Sequence, residues 1–199
     1  MLTIIAIIIG YLLGSINFAI LSSRYLALDD PRHHGSGNPG ATNMLRTGNY
    51  GAAMITLLGD AAKGLIAVLI GHALSVHGFW LALVALAVFI GHLYPVFFKF
   101  KGGKGVATLF GLLLGLHFSL GIVAIIIWLI IVAIFAYASL ASLVTVIIVP
   151  INCLFLGEAS YFIPLVIISA FIIYRHQDNI ERLRRGQERK ISFPWKDKE

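Results

Sequence analysis

The sequence predicts an all-α polytopic membrane domain of about seven transmembrane helices, N-terminus outside and C-terminus cytoplasmic, and three observations carry that prediction. Of its 199 residues 59% are hydrophobic and only 12% charged, against roughly 45–50% apolar and 25% charged in a soluble domain. The apolar residues come in runs long enough to cross a hydrocarbon core, which takes about 20 residues at roughly 1.5 Å rise each. Basic residues gather in three segments: Arg24, Arg32 and Arg46; Lys99, Lys101 and Lys104; and the tail from Arg175 to Lys198. Lys63 stands alone inside an apolar run.

The elements follow in chain order. Met1 to Ser23 is one apolar run without the basic start or small-residue cleavage site of a secretory signal, and reads as a retained first helix. Short loops rich in Lys and Arg stay on the cytoplasmic side, so the three basic segments are cytoplasmic and the N-terminus lies outside. Between the first two segments the chain must leave and return: a helix over about 49–71, an uncharged turn from His72 to Gly78, and a helix over about 79–98. From Val106 to Tyr174 an even number of crossings is required. Interruptions near His117–Gly121, Tyr137–Ser142 and Gly157–Ser160 divide this stretch into four short helices. The first, about 105–117, is short for a full span and suits a re-entrant segment as well; a five-helix arrangement satisfies the same parity. Gly10 and Gly14, and Gly111 and Gly115, stand four apart and let helices approach closely in lipid. A single membrane domain takes up residues 1–199, with a basic tail over about 176–199 held at the surface by anionic lipid. Cys153, the one cysteine, allows no intrachain disulfide and no thiol-rich metal site.

Three polar segments interrupt this greasy chain. The first, Asp30 to Asn43 followed by Arg46, is punctuated by Gly35, Gly37 and Gly40, whose missing Cβ lets backbone amides converge on an anion; Ser36, Asn38, Thr42 and Asn43 add side-chain donors. Gly40 to Asn43 also precedes a helix start, where free amides and the helix dipole favour phosphate. The spacing faintly resembles a nucleotide-binding loop, but Ala41 occupies the place of the essential lysine and no strand precedes it, which excludes an NTPase. The second segment places Lys101, Gly102, Gly103 and Lys104 directly before an apolar helix containing Thr108, again cations at a helix N-terminus. In the third, Arg175 to Leu183, helical spacing puts His176, Asn179 and Arg182 or Leu183 on one face, able to close a site built by the other two.

Two further features bear on chemistry. Asp60 and Lys63 lie three apart within the second apolar run and can pair on one helix face, either as functional groups or as a structural pair facing the bundle. His92, at the polar end of the third helix, can donate a hydrogen bond or take a proton near neutral pH. His72, His77 and His117 belong to the outer side or to packing.

The motifs GSGNPGATNMLR (Gly35 to Arg46), GHLYPVFFKFKGGKGVAT (Gly91 to Thr108) and RHQDNIERL (Arg175 to Leu183), with Gly59 to Gly64, resemble in order and spacing those of the bacterial acyl-phosphate:glycerol-3-phosphate acyltransferase family, the PlsY type. The resemblance covers nearly the whole chain. It implies a seven-helix inner-membrane enzyme that moves a fatty acyl group from acyl phosphate to the 1-hydroxyl of glycerol 3-phosphate, giving lysophosphatidic acid and inorganic phosphate. It further implies that Ser36, Arg46 and Lys104 hold glycerol phosphate and that Thr42, Asn43, His92, His176 and Asn179 line the site around the acyl phosphate. No metal or cofactor is implied, and no nucleic acid. The implied partners are the two substrates, membrane lipids and, transiently, the soluble enzyme that makes acyl phosphate.

The residues accord with that chemistry. Two phosphates held together repel in a partly desolvated pocket, so cations such as Arg46, Lys101, Lys104 and Arg182 must converge. The mixed anhydride already carries a good leaving group, so orientation of the alcohol and stabilisation of a tetrahedral oxyanion are the main requirements. None of the seven histidines has an aspartate five positions on, the His-x4-Asp spacing that other glycerol phosphate acyltransferases use as base and orienter. A phosphate oxygen of bound substrate taking the hydroxyl proton removes the need for it. The rival class is an organic-phosphate transporter, whose sites belong near the bilayer midplane rather than at one face.

Overall fold

The computed structural model describes residues 1–191, and these form ten α-helices and no strand. α1 (Leu2–Gly14) and α2 (Phe18–Tyr25) meet at a 43° bend. The first apolar run is therefore not the single helix its composition suggests. Asn17 causes the break: its side chain accepts from the amide of Ile20 at 3.1 Å and so restarts the helix, taking the donor that the Ile16 carbonyl would have received. That carbonyl accepts instead from Lys63 Nζ at 2.6 Å, a partner far along the chain that no local signal reveals.

A short α3 (Ala41–Arg46) leads to α4 (Tyr50–Ala73), started by Asn49 through the amide of Ala52, and then to α5 (Gly78–Leu93), which a 3-10 turn over Val96–Phe98 prolongs. α6 (Val106–Leu116), α7 (Phe118–Phe135), α8 (Ala138–Phe155), α9 (Phe162–Arg175) and α10 (Gln177–Arg184) complete the bundle. Breaks fall at His117, Ala136–Tyr137 and after Leu156, as the sequence predicts. By length and composition α4, α5 with its extension, α7 and α8 are able to cross a membrane, and the pairs α1–α2 and α9–α10 bring the number to six if each is one span. α6 has only 11 residues, roughly 16 Å at 1.5 Å each.

Close backbone approach holds the bundle together. A Cβ on Gly111 of α6 would overlap the Ala61 carbonyl of α4, and one on Gly64 of α4 would overlap the Thr108 carbonyl of α6. Gly14 of α1 meets the Val88 carbonyl of α5 in the same way, and Gly91 meets that of Tyr11. The core is small and aliphatic, while Ile4, Leu58, Leu69, Trp80, Leu129, Ile134, Ile147 and Phe155 point outward. So large an apolar exterior is the surface of a protein whose solvent is lipid.

The irregular stretch from Lys99 to Gly105 enters the bundle. Lys99 and Phe100 turn it through left-handed backbone, and Gly102 and Gly103 then run back along α5, donating to the carbonyls of Leu93 and His92 at 3.1 and 3.3 Å. Both glycines are buried, so their amides are paired within the protein, the condition for non-helical backbone at membrane depth. Gly105, at φ 85° and pressed on the Phe89 ring, admits no side chain. This path seats α6 with its N-terminus inside the bundle.

Candidate active site

The first polar segment is braced from within. Asn43, 2% exposed, donates to the carbonyls of Pro31 and His34 at 2.9 and 3.0 Å and accepts from the amide of Ser36 at 2.9 Å. Its amide group thus shapes the loop. Arg32 pairs with Asp30 at 2.6 Å, and the guanidinium hydrogen-bonded to it holds the Asp30 carboxyl at about 2, below the usual range. With those charges satisfied, Ser36, Asn38, Thr42 and Arg46 are left facing a cavity.

The second segment brings Lys104 to the same place. Its ammonium donates to Asn179 Oδ1 on α10, joining segments 75 residues apart. Burial, and after it the nearby Arg182 guanidinium, pushes the Lys104 pKa down to about 8, with Glu188 opposing. Directly after it, the amides of Val106, Ala107 and Thr108 open α6 without intrahelical acceptors, and Gly105, Val106 and Ala107 line the cavity. Lys101 is exposed and lines neither of the two cavities described below; Gly103 is buried against the His92 ring; Thr108 is buried, its Oγ1 3.2 Å from His92 Nδ1. His92 itself reaches the cavity wall, and so does Asp60, which pairs with Lys63 at 2.8 Å.

The third segment closes the site. His176, where α9 bends by 58° into α10, has Nδ1 2.8 Å from the Ile172 carbonyl. A carbonyl only accepts, so Nδ1 carries a hydrogen and is the donor. Asn179, between Lys104 and Glu188, uses both ends of its amide, giving its Nδ2 hydrogen to Glu188 Oε1 at 2.6 Å. Glu188 also accepts from Ser139 at 2.9 Å and from Arg182 Nε at 2.8 Å. Burial pushes its carboxyl up, but the hydrogen bonds from Arg182, Asn179 and Ser139 outweigh that and leave it below the ordinary carboxylate range. The sequence reading missed Glu188 and Ser139. The available signal was an acid alone in a basic run, between Arg185 and Arg189. The chain beyond Glu188 crosses the site as a strap, with Arg46 reaching the Arg189 carbonyl at 3.5 Å and the Ile191 amide bonded to the Ala136 carbonyl at 2.7 Å. The part of the predicted basic tail past Ile191 lies outside the described residues.

Between these segments lies a cavity of about 540 Å³ with two unlike ends. Ser36, Thr42, Arg46, Lys104, His176 and Asn179 form the polar end; Met54, Leu57, Phe110, Leu114, Trp128 and Leu129 form the other. Met54, Leu57 and Leu129 also belong to the apolar exterior, so that end opens sideways toward lipid. A second, polar cavity of about 290 Å³ adjoins it and shares Ser36, Asn38 and Lys104, adding Gly102, Arg175 and Arg182. Cations and neutral donors at one end, with hydrocarbon contacts at the other, accommodate an anionic amphiphile.

A bundle of membrane-length helices around such a cavity defines an integral membrane protein fitted to a phosphate-bearing lipid precursor. Residues 4–186 match the family model described as Glycerol-3-phosphate acyltransferase, and the chain belongs to that family. Glycerol-3-phosphate acyltransferases of Coxiella burnetii and Thioalkalivibrio sulfidiphilus are 53% identical over 190 residues and 50% identical over 200, covering 96% and 100% of this chain and 98% of each relative. The crystal structure of PlsY (YgiH), an integral membrane glycerol 3-phosphate acyltransferase, in its glycerol 3-phosphate form superposes with a TM-score of 0.91 at 35% identity over 99% of both chains. Its lysophosphatidic acid form gives 0.88 over 96% of this chain and 95% of that one.

Proposed function

We propose that this membrane acyltransferase moves a fatty acyl group from acyl phosphate to the 1-hydroxyl of glycerol 3-phosphate, releasing lysophosphatidic acid and inorganic phosphate. One observation carries the reading: donors from three chain-distant segments, Ser36 and Arg46, Lys104, and His176 and Asn179, converge at the polar end of a cavity whose other end is hydrocarbon. The glycerol 3-phosphate and lysophosphatidic acid forms of the related PlsY structure supply the matching substrate and product.

In this reading Arg46, Lys104 and Arg182 balance the phosphate charges, with Ser36, Asn38, Thr42 and Asn179 as neutral donors. The acyl chain lies along Phe110, Leu114 and Trp128, drawn from the leaflet through the lateral opening. The 1-hydroxyl oxygen attacks the acyl carbonyl carbon, the carbon–oxygen bond to phosphate breaks, and phosphate departs with the electron pair. Free amides at the start of α6 stabilise the tetrahedral oxyanion. A substrate phosphate oxygen takes the hydroxyl proton, and His176 and His92 orient groups without serving as a strict base.

The same reading counts seven spans, the two bent pairs as one each and α6 as the short seventh. It places the N-terminus outside and the site at the cytoplasmic face of the inner membrane, within reach of the soluble enzyme that supplies acyl phosphate. Purified protein given acyl phosphate and glycerol 3-phosphate, without CoA or carrier protein, is expected to form lysophosphatidic acid. Phosphate-ester flux across sealed vesicles with no acylated product would instead establish transport.

A further inference from the structure

The buried Asp60–Lys63 pair has no step in the chemistry above. Asp60 and Lys63 are 2% and 3% exposed, on the stretch of α4 that glycines press against α6. Lys63 is saturated on one side by the Ile16 carbonyl at 2.6 Å, and its Nζ is 2.8 Å from Asp60 Oδ1. Had the pair served only to fill the bundle, Asp60 would end there. Instead Oδ1 stands between Lys63 and His92, 3.6 Å from Nδ1 of that ring, without a well-aligned hydrogen bond to either.

Two atoms face His92 Nδ1: the Asp60 carboxylate oxygen and Thr108 Oγ1 at 3.2 Å. A carboxylate only accepts, and a hydroxyl accepts as readily as it donates, so the pair favours a hydrogen on Nδ1. The other ring nitrogen is then bare. Nε2 lies against Gly103, close enough that a Cβ there would overlap it, and has no hydrogen-bond partner among the described residues. His92 and Lys104 both line the cavity.

We propose that Asp60, its charge balanced by Lys63, is a positioning residue that fixes His92 as the Nδ1–H tautomer, so that Nε2 receives the hydrogen bond of the glycerol 3-phosphate 1-hydroxyl and aims its oxygen at the acyl carbonyl. The hydroxyl's one hydrogen points at Nε2 while the alcohol is being oriented and swings to a phosphate oxygen as the new carbon–oxygen bond forms, so His92 positions the alcohol and does not keep its proton. The inference rests on the acyltransferase reading, but the tautomer is observable without turnover.

The experiment uses the full chain in detergent. With 15N-labelled histidine, the His92 resonances, assigned by their loss in His92→Gln, are expected to report a protonated Nδ1 and a bare Nε2, and this assignment is lost in Asp60→Asn. Asp60→Asn is expected to lower kcat on the order of 10- to 100-fold while KM for glycerol 3-phosphate changes less than about threefold. The double variant Asp60→Asn with Lys63→Gln removes both charges and restores a neutral hydrogen-bonding pair. If Asp60 positions His92, kcat stays low in the double variant although thermal unfolding returns toward wild type. Recovery of kcat there would reduce the pair to a structural ion bridge and overturn the proposal. So would a protonated Nε2 in the wild-type spectrum, or full kcat in Asp60→Asn. Absence of lysophosphatidic acid with wild-type protein would overturn the acyltransferase reading alone, leaving the spectra to decide the tautomer.

Discussion

At the scale of single residues, Lys104 ties the second polar segment to the third through Asn179, and burial lowers its pKa. With a value of about 8, the ammonium proposed to hold phosphate is present below that pH and lost as pH rises through it. KM for glycerol 3-phosphate is therefore expected to climb above about pH 8 in the wild type. Lys104→Arg, charged throughout, should show a flat profile in steady-state assays. Lys104→Ala and Arg46→Ala each remove a charged contact of about 2–5 kcal/mol, so kcat/KM should fall by at least about 30-fold. Glu188 works the other way. Its carboxyl is depressed in the folded chain, so its contribution to holding the strap is present above the unfolded value and disappears as pH falls through the depressed one. Hydrogen-exchange protection of Gln187 to Ile191, relative to the intrinsic rate at each pH, should fall at acid pH and do so already at neutral pH in Glu188→Ala.

The helices derive their positions from where backbones are allowed to touch. Gly111→Val would drive two methyl groups into the Ala61 carbonyl, separating α4 from α6, and is expected to cost about 1–3 kcal/mol, read as a lower unfolding temperature in detergent. Gly103→Ala has a different signature. Its Cβ would meet the Pro39 carbonyl at 2.9 Å as well as the His92 ring, forcing apart the two segments that face the substrates. Activity should drop about tenfold or more with a smaller change in unfolding temperature. The glycine spacings that predict close helix approach were readable in the chain, because Gly10, Gly14, Gly111 and Gly115 repeat at helical intervals. The break in the first span was not. Ser15 and Asn17 look like ordinary polar residues in an apolar run, and only the cap on Ile20 and the arrival of Lys63 make the interruption stable.

Across the whole molecule, the proposed seven-span topology makes a labelling prediction. In a Cys153→Ala background, Ser75→Cys and Glu158→Cys should react with a membrane-impermeant maleimide in intact cells, whereas Lys99→Cys and Arg184→Cys should react only after permeabilisation. The reverse pattern would place the site on the outer face. The two ends of the cavity suit this orientation, since the polar end is ringed by the basic segments that the positive-inside rule keeps in the cytoplasm.

Membrane residence, the breaks between Val106 and Tyr174 and the three polar motifs were determined by the sequence alone, because hydropathy, charge asymmetry and glycine spacing are local and a bilayer leaves helices as the answer. Which donors meet was decided by the tertiary structure. Asn43 turned inward to brace its loop, Lys101 was left at the surface, Glu188 was drawn under the strap, and the Asp60–Lys63 pair was set against His92. Each of these depends on contacts between elements far apart in the chain, and a side chain's partner at that range is fixed by packing, which no window of sequence contains.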